Sequence, residues 1–306
     1  MTSALFVGLS TLDLAYAVDR YPAEDSKTQA LDQFLGAGGP AANAAVAYAT
    51  VSGQPATLIT ALGRHQLTDL VRNDLSSHHV TVVDTTPDRI DTPPVSSIVV
   101  ALEAGSRTVV GLDAARIQAV YTAELARHVD QAAVVLIDGH HPEVAVGIAR
   151  RATELGVPVV LDAGRWKPIH EQLLPLTDIA ICSAAFAPPG FGGDAPALLN
   201  YLRAAGPKQV AVTRGPDPIL FAVAGRRGAI EITPVPHAAD TLGAGDILHG
   251  AFCAYYSAGR DFVDALTRAS AVSTLSCRTF GTRNWASELT ELHNCPSRDS
   301  GRGSDS

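Results

Sequence analysis

The run Asp240-Thr241-Leu242-Gly243-Ala244-Gly245-Asp246 leads into the apolar stretch Ile247-Leu248-His249-Gly250-Ala251-Phe252. Gly243, Ala244 and Gly245 let a backbone come close to a ligand without side chains in the way. The apolar stretch predicts a helix, and the first N–H groups of a helix have no partner within it and lie at the positive end of its dipole. Such a terminus receives a phosphate or a phosphoryl group in transfer. Asp246 then puts a carboxylate at the rim, able to take the proton of an attacking hydroxyl. The same position predicts a lowered pKa for Asp246, because the dipole favours its charged form. Read alone, the last four residues are also a glycine-softened turn with a helix-capping aspartate.

A second glycine-rich stretch, Gly36-Ala37-Gly38-Gly39-Pro40-Ala41-Ala42-Asn43, predicts another helix start. Pro40 suits a first turn, where its missing N–H costs nothing. Asn43, one turn in, offers a donor and an acceptor to a ligand hydroxyl. Close helix packing is the plain alternative. A dinucleotide fingerprint is a poor match, because no acidic residue follows about 20 positions on to hold a ribose. Further carboxylates, Asp13 and Asp138, stand at expected strand ends, Asp13 after the first strand. Val210-Ala-Val-Thr213-Arg214-Gly215 reads as a strand entering a turn.

These residues need a scaffold. Apolar strand-like runs at 4–8, 56–61, 133–138, 158–161, 179–182 and 209–213 alternate with helical patterns at 41–50, 67–77, 142–155, 195–205, 243–257 and 262–277. That alternation predicts βαβ crossovers, a mostly parallel sheet and helices on both faces. Strand-like patches at 28–35, 95–102 and 107–111 break the rhythm, so segments 14–35 and 92–111 are expected to form a small second sheet, placed as a lid. Residues 293–306 are polar and rich in glycine and serine, the composition of a disordered tail.

Composition removes several classes. A net charge of −8, with no clustered Lys or Arg, argues against nucleic acid as partner. No run is apolar enough for a membrane span, and the N-terminus lacks the basic region of a signal peptide. The 4 cysteines show no metal-ligand spacing and read as reduced thiols, so a cytoplasmic location is expected. Lys27, Lys167 and Lys208 are the lysines, and none follows a GxxxxG run, which excludes a Walker-A loop. Adjacent His140 and His141 diverge in direction and lack a third ligand for a metal.

The heptapeptide at 240–246 closely resembles the C-terminal signature of the PfkB or ribokinase-like family of carbohydrate kinases, and Gly38-Gly39-Pro40-Ala41-Ala42-Asn43 resembles the N-terminal one. The resemblance covers residues 3–292, taken as one kinase domain. It implies a Rossmann-like three-layer α/β/α sandwich with a small β-sheet lid. It also implies transfer from ATP, with Mg2+, to a primary hydroxyl of a small sugar. Asp246 would be the base, and the amides from Leu242 to Gly245 would form the anion hole. Gly38, Gly39 and Asn43 would line the sugar site, Asp13 would grip sugar hydroxyls, and Asp138 would add an acidic contact. Arg107 would reach substrate or phosphate from the lid, or be an exposed hairpin residue. Thr213, Arg214, Gly215 and Thr241 would lie beside the nucleotide phosphates.

Segments 19–26, 94–97 and 105–108 are similar to ketohexokinase lids, and both glycine motifs are similar to those of bacterial sulfofructose kinases, which together imply a ketose or related sugar. Relatives pair through their lids, so a homodimer is expected, and some use K+, which stays open around residues 277–282. One departure stands out: the family's Asn-x-x-Glu segment, which organises magnesium, reads Ser183-Ala-Ala-Phe186 here. Metal organisation then falls to Asp162 or to ATP itself. A nucleoside kinase of the same fold and a non-catalytic sugar or nucleotide sensor are the rival readings; a sensor needs no base.

Overall fold

Runs such as Ala4-Leu5-Phe6-Val7 and Val134-Val135-Leu136-Ile137 carry no polar alternation, so as strands they must be covered on both faces. The computed structural model describes residues 3–235 and 238–289 and bears this out. The first half contains β1 (Ser3–Val7), β2 (Thr11–Val18), β3 (Asp32–Gly38), α1 (Pro40–Ser52), β4 (Ala56–Thr60), α2 (Gln66–Ser77), β5 (Val80–Asp84), β6 (Val95–Ala101) and β7 (Ser106–Gly111). The second half contains α3 (Ala123–Ala126), β8 (Ala132–Ile137), α4 (Pro142–Leu155), β9 (Val159–Ala163), α5 (His170–Leu173), β10 (Ile179–Ser183) and α6 (Ala195–Ala205). It closes with β11 (Gln209–Arg214), β12 (Asp217–Val223), β13 (Arg226–Ile230), α7 (Ala244–Ser257) and α8 (Phe262–Ser276).

The large sheet is 9-stranded, in the order β13-β12-β11-β10-β9-β8-β1-β4-β5. From β5 to β11 every pairing is parallel, while β12 and β13 add an antiparallel edge. Alternate residues feed two cores. Ala4 and Phe6 of β1 pack with α1, α7 and α8, whereas Leu5 and Val7 pack with α4 and α6 on the other face. The chain leaves β1 toward β4 and later returns to β8 on its other side, so strand order reverses at β1. Ligands of open α/β sheets bind outside the carboxyl ends of strands at such a point.

The second sheet is 4-stranded, ordered β3-β2-β6-β7. Its inner face, with Ala15, Ile98 and Val100, is closed by Phe34, Leu242 and Phe280. Leu242 directly precedes Gly243, so the lid rests on the glycine-rich loop.

Several expectations need correction. Asp13 does not end the first strand: β1 stops at Val7 and Asp13 lies within β2. The lid strand expected from residue 28 begins at Asp32. Strands β5, β12 and β13 were not anticipated; polar residues break the apolar pattern of β5 and β13, whereas β12 carries the unbroken run Ile219–Val223 and was simply passed over. The tail at 293–306 lies outside the described residues.

Helices α1 and α7 pack backbone to backbone. A Cβ built on Gly250 would stand 2.1 Å from the Ala44 carbonyl oxygen and 2.7 Å from the Ala47 methyl carbon. Gly250→Ala should therefore force the helices apart and lower stability by about 1–3 kcal/mol, with activity falling alongside. Urea unfolding would measure it, and an unchanged midpoint would mean that this contact does not set the helix spacing.

Candidate active site

The close helix pair brings together residues far apart in sequence. Asn43 on α1 donates from Nδ2 to Asp246 Oδ2 at 2.9 Å. Asp246 lies in the first turn of α7, whose cap, Gly243, has a left-handed φ of 69°. That φ disfavours side chains, and a Cβ there would also meet Thr282 at 3.0 Å and the Asn43 amide at 3.4 Å. Because Asn43 holds Oδ2, Oδ1 is the oxygen left to meet a hydroxyl.

The loop offers fewer amides than the expected span from Leu242 to Gly245. Leu242 N–H already donates to Asp240 Oδ1 at 2.8 Å, and Ala244 N–H turns toward the Thr241 carbonyl at 3.3 Å. The N–H groups of Gly243 and Gly245 lack such partners, and a Cβ on exposed Gly245 would meet nothing within 4 Å. The free amides of the loop are thus confined to the two glycines.

The pKa of Asp246 runs against the dipole expectation. It is pushed up to about 7, chiefly by burial and by the neighbouring Asp162 carboxylate, with Asp13 adding to the rise; Asn43 and His249 oppose it. Loss of hydration and like charges outweigh a helix-end effect worth at most a couple of kcal/mol. Asp162, at the end of β9, is itself raised, first by burial, although His249 counteracts this. Its Oδ2 has no hydrogen-bond partner and lies 3.4 Å from His249 Nδ1. The two ring nitrogens of His249 face the carbonyl oxygens of Gly245 at 2.7 Å and Ile181 at 3.0 Å.

Across the cleft, Asp13 is buried and accepts from Thr11 Oγ1 at 2.6 Å. Burial raises its pKa, while Thr11, Ser96 and Arg283 pull it down. Gly38 has no Cβ because one would fall 1.9 Å from Asp13 Oδ2. Gly39 caps α1 with φ 93°, as the Gly-Gly-Pro order predicts.

Two expected sugar contacts turn inward instead. Asn43, expected to present both amide ends to a ligand, spends Nδ2 on Asp246 and Oδ1 on Arg283. Asp138, at 1% exposure, accepts from the N–H groups of Leu9 and Ala41 through Oδ2, and from His140 N–H through Oδ1. These bonds tie β1, α1 and β8 together at the strand reversal. Its pKa is lowered: burial alone would raise it, but His140 and Lys167 outweigh that. A carboxylate so occupied braces the three elements.

From the lid, exposed Arg107 donates from Nη1 to Thr241 Oγ1 at 2.5 Å, so it does reach the loop. At the far end of the sheet Thr213 Oγ1 contacts the Cys182 carbonyl at 3.4 Å. Arg214 Nε holds the Pro218 carbonyl at 2.9 Å, and Gly215, with φ 64°, makes the hairpin turn to β12. The Ser183–Phe186 segment confirms its departure: Phe186 is fully buried against Trp166 and His170. Among the described residues no cluster of His, Cys, Asp or Glu could enclose a metal, His140 and His141 included. Mg2+ prefers oxygen ligands and keeps several waters, and the unpartnered Asp162 Oδ2 fits a metal-bound water.

Sequence reading passed over Arg283, Asp74 and His249. Arg283 and Asp74 lie outside any glycine motif and meet only in the folded chain, at 2.9 Å. His249 stands one turn after Asp246, and that i, i+3 spacing was the available signal.

A model of the pfkB family of carbohydrate kinases matches residues 1–289. The fold is similar to that of a ribokinase candidate from Agrobacterium tumefaciens, at 27% identity, TM-score 0.84, covering 95% of this chain and 97% of that one. It is also similar to Arabidopsis thaliana ribokinase complexed with ribose and ATP (21% identity, TM-score 0.77, 97% and 100% coverage). An adenosine kinase from Sinorhizobium meliloti shares the architecture at 18% identity, TM-score 0.79, with 95% and 99% coverage.

The raised pKa of Asp246 has a consequence for folding. The folded chain holds this proton more tightly than the unfolded chain, whose carboxyl titrates near 3.8, so stability present below that pH is lost as pH rises toward about 7. Asp246→Asn removes the penalty. By urea titration the variant should exceed the parent by on the order of 1–3 kcal/mol at pH 8, after discounting for partial exposure, with the gap closing near pH 4. A variant no more stable than the parent at pH 8 would contradict the burial of this charge.

Proposed function

The chain belongs to the pfkB family of carbohydrate kinases, and from that premise we propose that it moves the γ-phosphoryl group of MgATP to a primary hydroxyl of a small sugar, a ketose or a related one. The observation that carries the reading is the Asn43–Asp246 bond at 2.9 Å beside the open amides of Gly243 and Gly245. The attacking hydroxyl oxygen bonds to the γ-phosphorus as the bond to the β-phosphate oxygen breaks. Its proton passes to Asp246 Oδ1, and ADP leaves. A base titrating near 7 suits this transfer at neutral pH. In a loose transition state positioning matters more than basicity, so the fixed carboxylate counts twice.

The amides of Gly243 and Gly245 meet charge developing on the transferred group, a contribution of roughly 3 kcal/mol per donor in comparable holes. In this reading Arg107 and Thr241 close the loop from the lid, Asp13 accepts sugar hydroxyls, Gly38 leaves Asp13 room, and Gly39 lines the same sugar site. Thr213, Arg214 and Gly215 mark the nucleotide end. Mg2+ bound to the donor phosphates would neutralise their charge, with Asp162 holding one of its waters. We do not extend the proposal to K+: the Cys277 carbonyl is already taken by the N–H groups of Ala239 and Asp240, at 2.9 and 3.4 Å. A reaction drawing on ATP supports the cytoplasmic expectation, and no helix among the described residues is long and apolar enough to cross a membrane.

A homodimer formed through the lid is part of the proposal. The outer lid face presents Leu14, Tyr16, Leu35, Val99 and Val110 in one cross-strand band, with Leu35 at 51% and Val110 at 68% exposure. Such a band on a sheet face favours burial against another surface. Val110→Glu should halve the mass seen by light scattering, and a parent that is already monomeric would refute the dimer.

For the chemistry, ketoses, aldoses, sulfosugars and nucleosides should be screened with MgATP. A ketose is expected to give the highest turnover, while turnover of adenosine alone would make this a nucleoside kinase. Asp246→Asn should bind acceptor and ATP yet lose at least about a hundredfold in kcat. Near-normal turnover in that variant would remove Asp246 from its role, and no ATP consumption with any acceptor would favour the sensor.

A further inference from the structure

We propose that Arg283 is a positioning residue for the transfer: it fixes which end of the Asn43 amide faces Asp246, and it ties that setting to the base of the lid. The inference rests on Asp246 being the proton acceptor. An asparagine amide has a donor end and an acceptor end of nearly the same shape. Turned over, Asn43 would point its carbonyl at the Asp246 carboxylate, and the donor to Oδ2 would be lost. Arg283 Nη1 donates to Asn43 Oδ1 at 3.0 Å. A guanidinium has no acceptor, so it cannot serve the turned amide. The donation at Oδ1 therefore selects the orientation in which Nδ2 meets Asp246.

Arg283 is itself held from every side. Nη1 also reaches Thr282 Oγ1 at 2.8 Å and the Thr282 carbonyl at 3.2 Å. Nη2 donates to the Ala37 carbonyl at 2.6 Å and to Asp74 Oδ2 at 2.9 Å, and Nε lies 3.3 Å from the same oxygen. The Phe34 ring lies 6.0 Å away, and the side chain is 9% exposed. Every N–H of the fork is engaged within the protein, so Arg283 is not a ligand contact.

The partners define what it connects. Asp74 Oδ2 also accepts from the Ala37 N–H at 3.0 Å, so the Asp74–Arg283 pair holds both polar groups of Ala37. Ala37 is next to Gly38, against which Asp13 lies. One part-buried ion pair therefore sets the end of lid strand β3, the backbone beside Asp13 and the amide that aims Asp246. The groups facing Asp246 itself are Asn43, Asp162, His249 and Asp13, so Arg283 acts on it through Asn43. Lysine, with a single point of charge, cannot span Asn43, Ala37 and Asp74 together.

Steady-state kinetics with MgATP and the acceptor of highest turnover in the screen would test this, on Arg283→Ala, Arg283→Lys, Asn43→Ala, the double Ala variant and Asp246→Asn. Arg283→Ala should lose about 10- to 100-fold in kcat with KM for ATP within about twofold, as misplacement of a reacting group does. Millimolar guanidinium should restore part of that loss where sodium chloride does not. Arg283→Lys keeps the charge opposite Asp74, so it should fold yet recover little turnover; it carries the test if the Ala variant fails to fold. The double variant should be no slower than Asn43→Ala alone. Either folded Arg283 variant with kcat within about twofold of the parent, or losses that multiply in the double variant, would overturn the proposal. Normal turnover in Asp246→Asn would instead remove the reading on which it rests, a separate result from the same set.

Discussion

The site depends on the distance between two helix backbones. Gly250 and the small residues of α1 let α7 approach until the Ala44 carbonyl occupies the place of a missing side chain. Only at that spacing does Asn43 reach Asp246, across 203 residues of sequence. The contact costs almost no side-chain entropy, although Gly250 inside α7 gives up backbone freedom that alanine would not. It also fixes the first turn of α7 over the carboxyl ends of the central strands, where the sheet reverses direction and a ligand can enter.

That placement concentrates negative charge. Asp13, Asp162 and Asp246 each have a raised pKa, with burial the largest cause in every case. Left uncompensated they would be costly, and fixed groups of the fold stand against them. Asn43 donates to Asp246 and Thr11 donates to Asp13, while Asp162 has the His249 ring nearby, at 3.4 Å, without a hydrogen bond. Asp138 shows the opposite solution: enclosed by backbone N–H groups and beside His140 and Lys167, it stays charged and structural. Aspartates gathered from different elements thus differ in charge state according to the donors around them.

Much of this was legible from sequence, for physical reasons. Short unbroken apolar runs suit doubly covered strands, so the parallel centre of the sheet was clear; β13, mostly exposed at the edge, had no such pattern, while β12 had one at Ile219–Val223 that was passed over. Glycines at 38, 39, 243 and 245 announced close approach: Gly38 and Gly243 lie where the backbone nears a side chain, Gly39 where it nears the Leu9 carbonyl, and Gly245 faces open space. What the sequence concealed was partnership. Whether Asn43 or Asp138 would face a ligand depended on Arg283 and on the N–H groups of Leu9 and Ala41, contacts made only by folding. The direction of the Asp246 shift was hidden for the same reason: the dipole is local, while Asp162 and Asp13 arrive from other strands.

The most direct test is a crystal structure with a non-hydrolysable ATP analogue and the preferred acceptor bound together. The account predicts the acceptor hydroxyl within hydrogen-bond reach of Asp246 Oδ1, and the γ-phosphate over the N–H groups of Gly243 and Gly245, with the Asn43–Asp246 bond intact. A γ-phosphate seated away from those two amides, or an acceptor hydroxyl out of reach of Asp246, would contradict it.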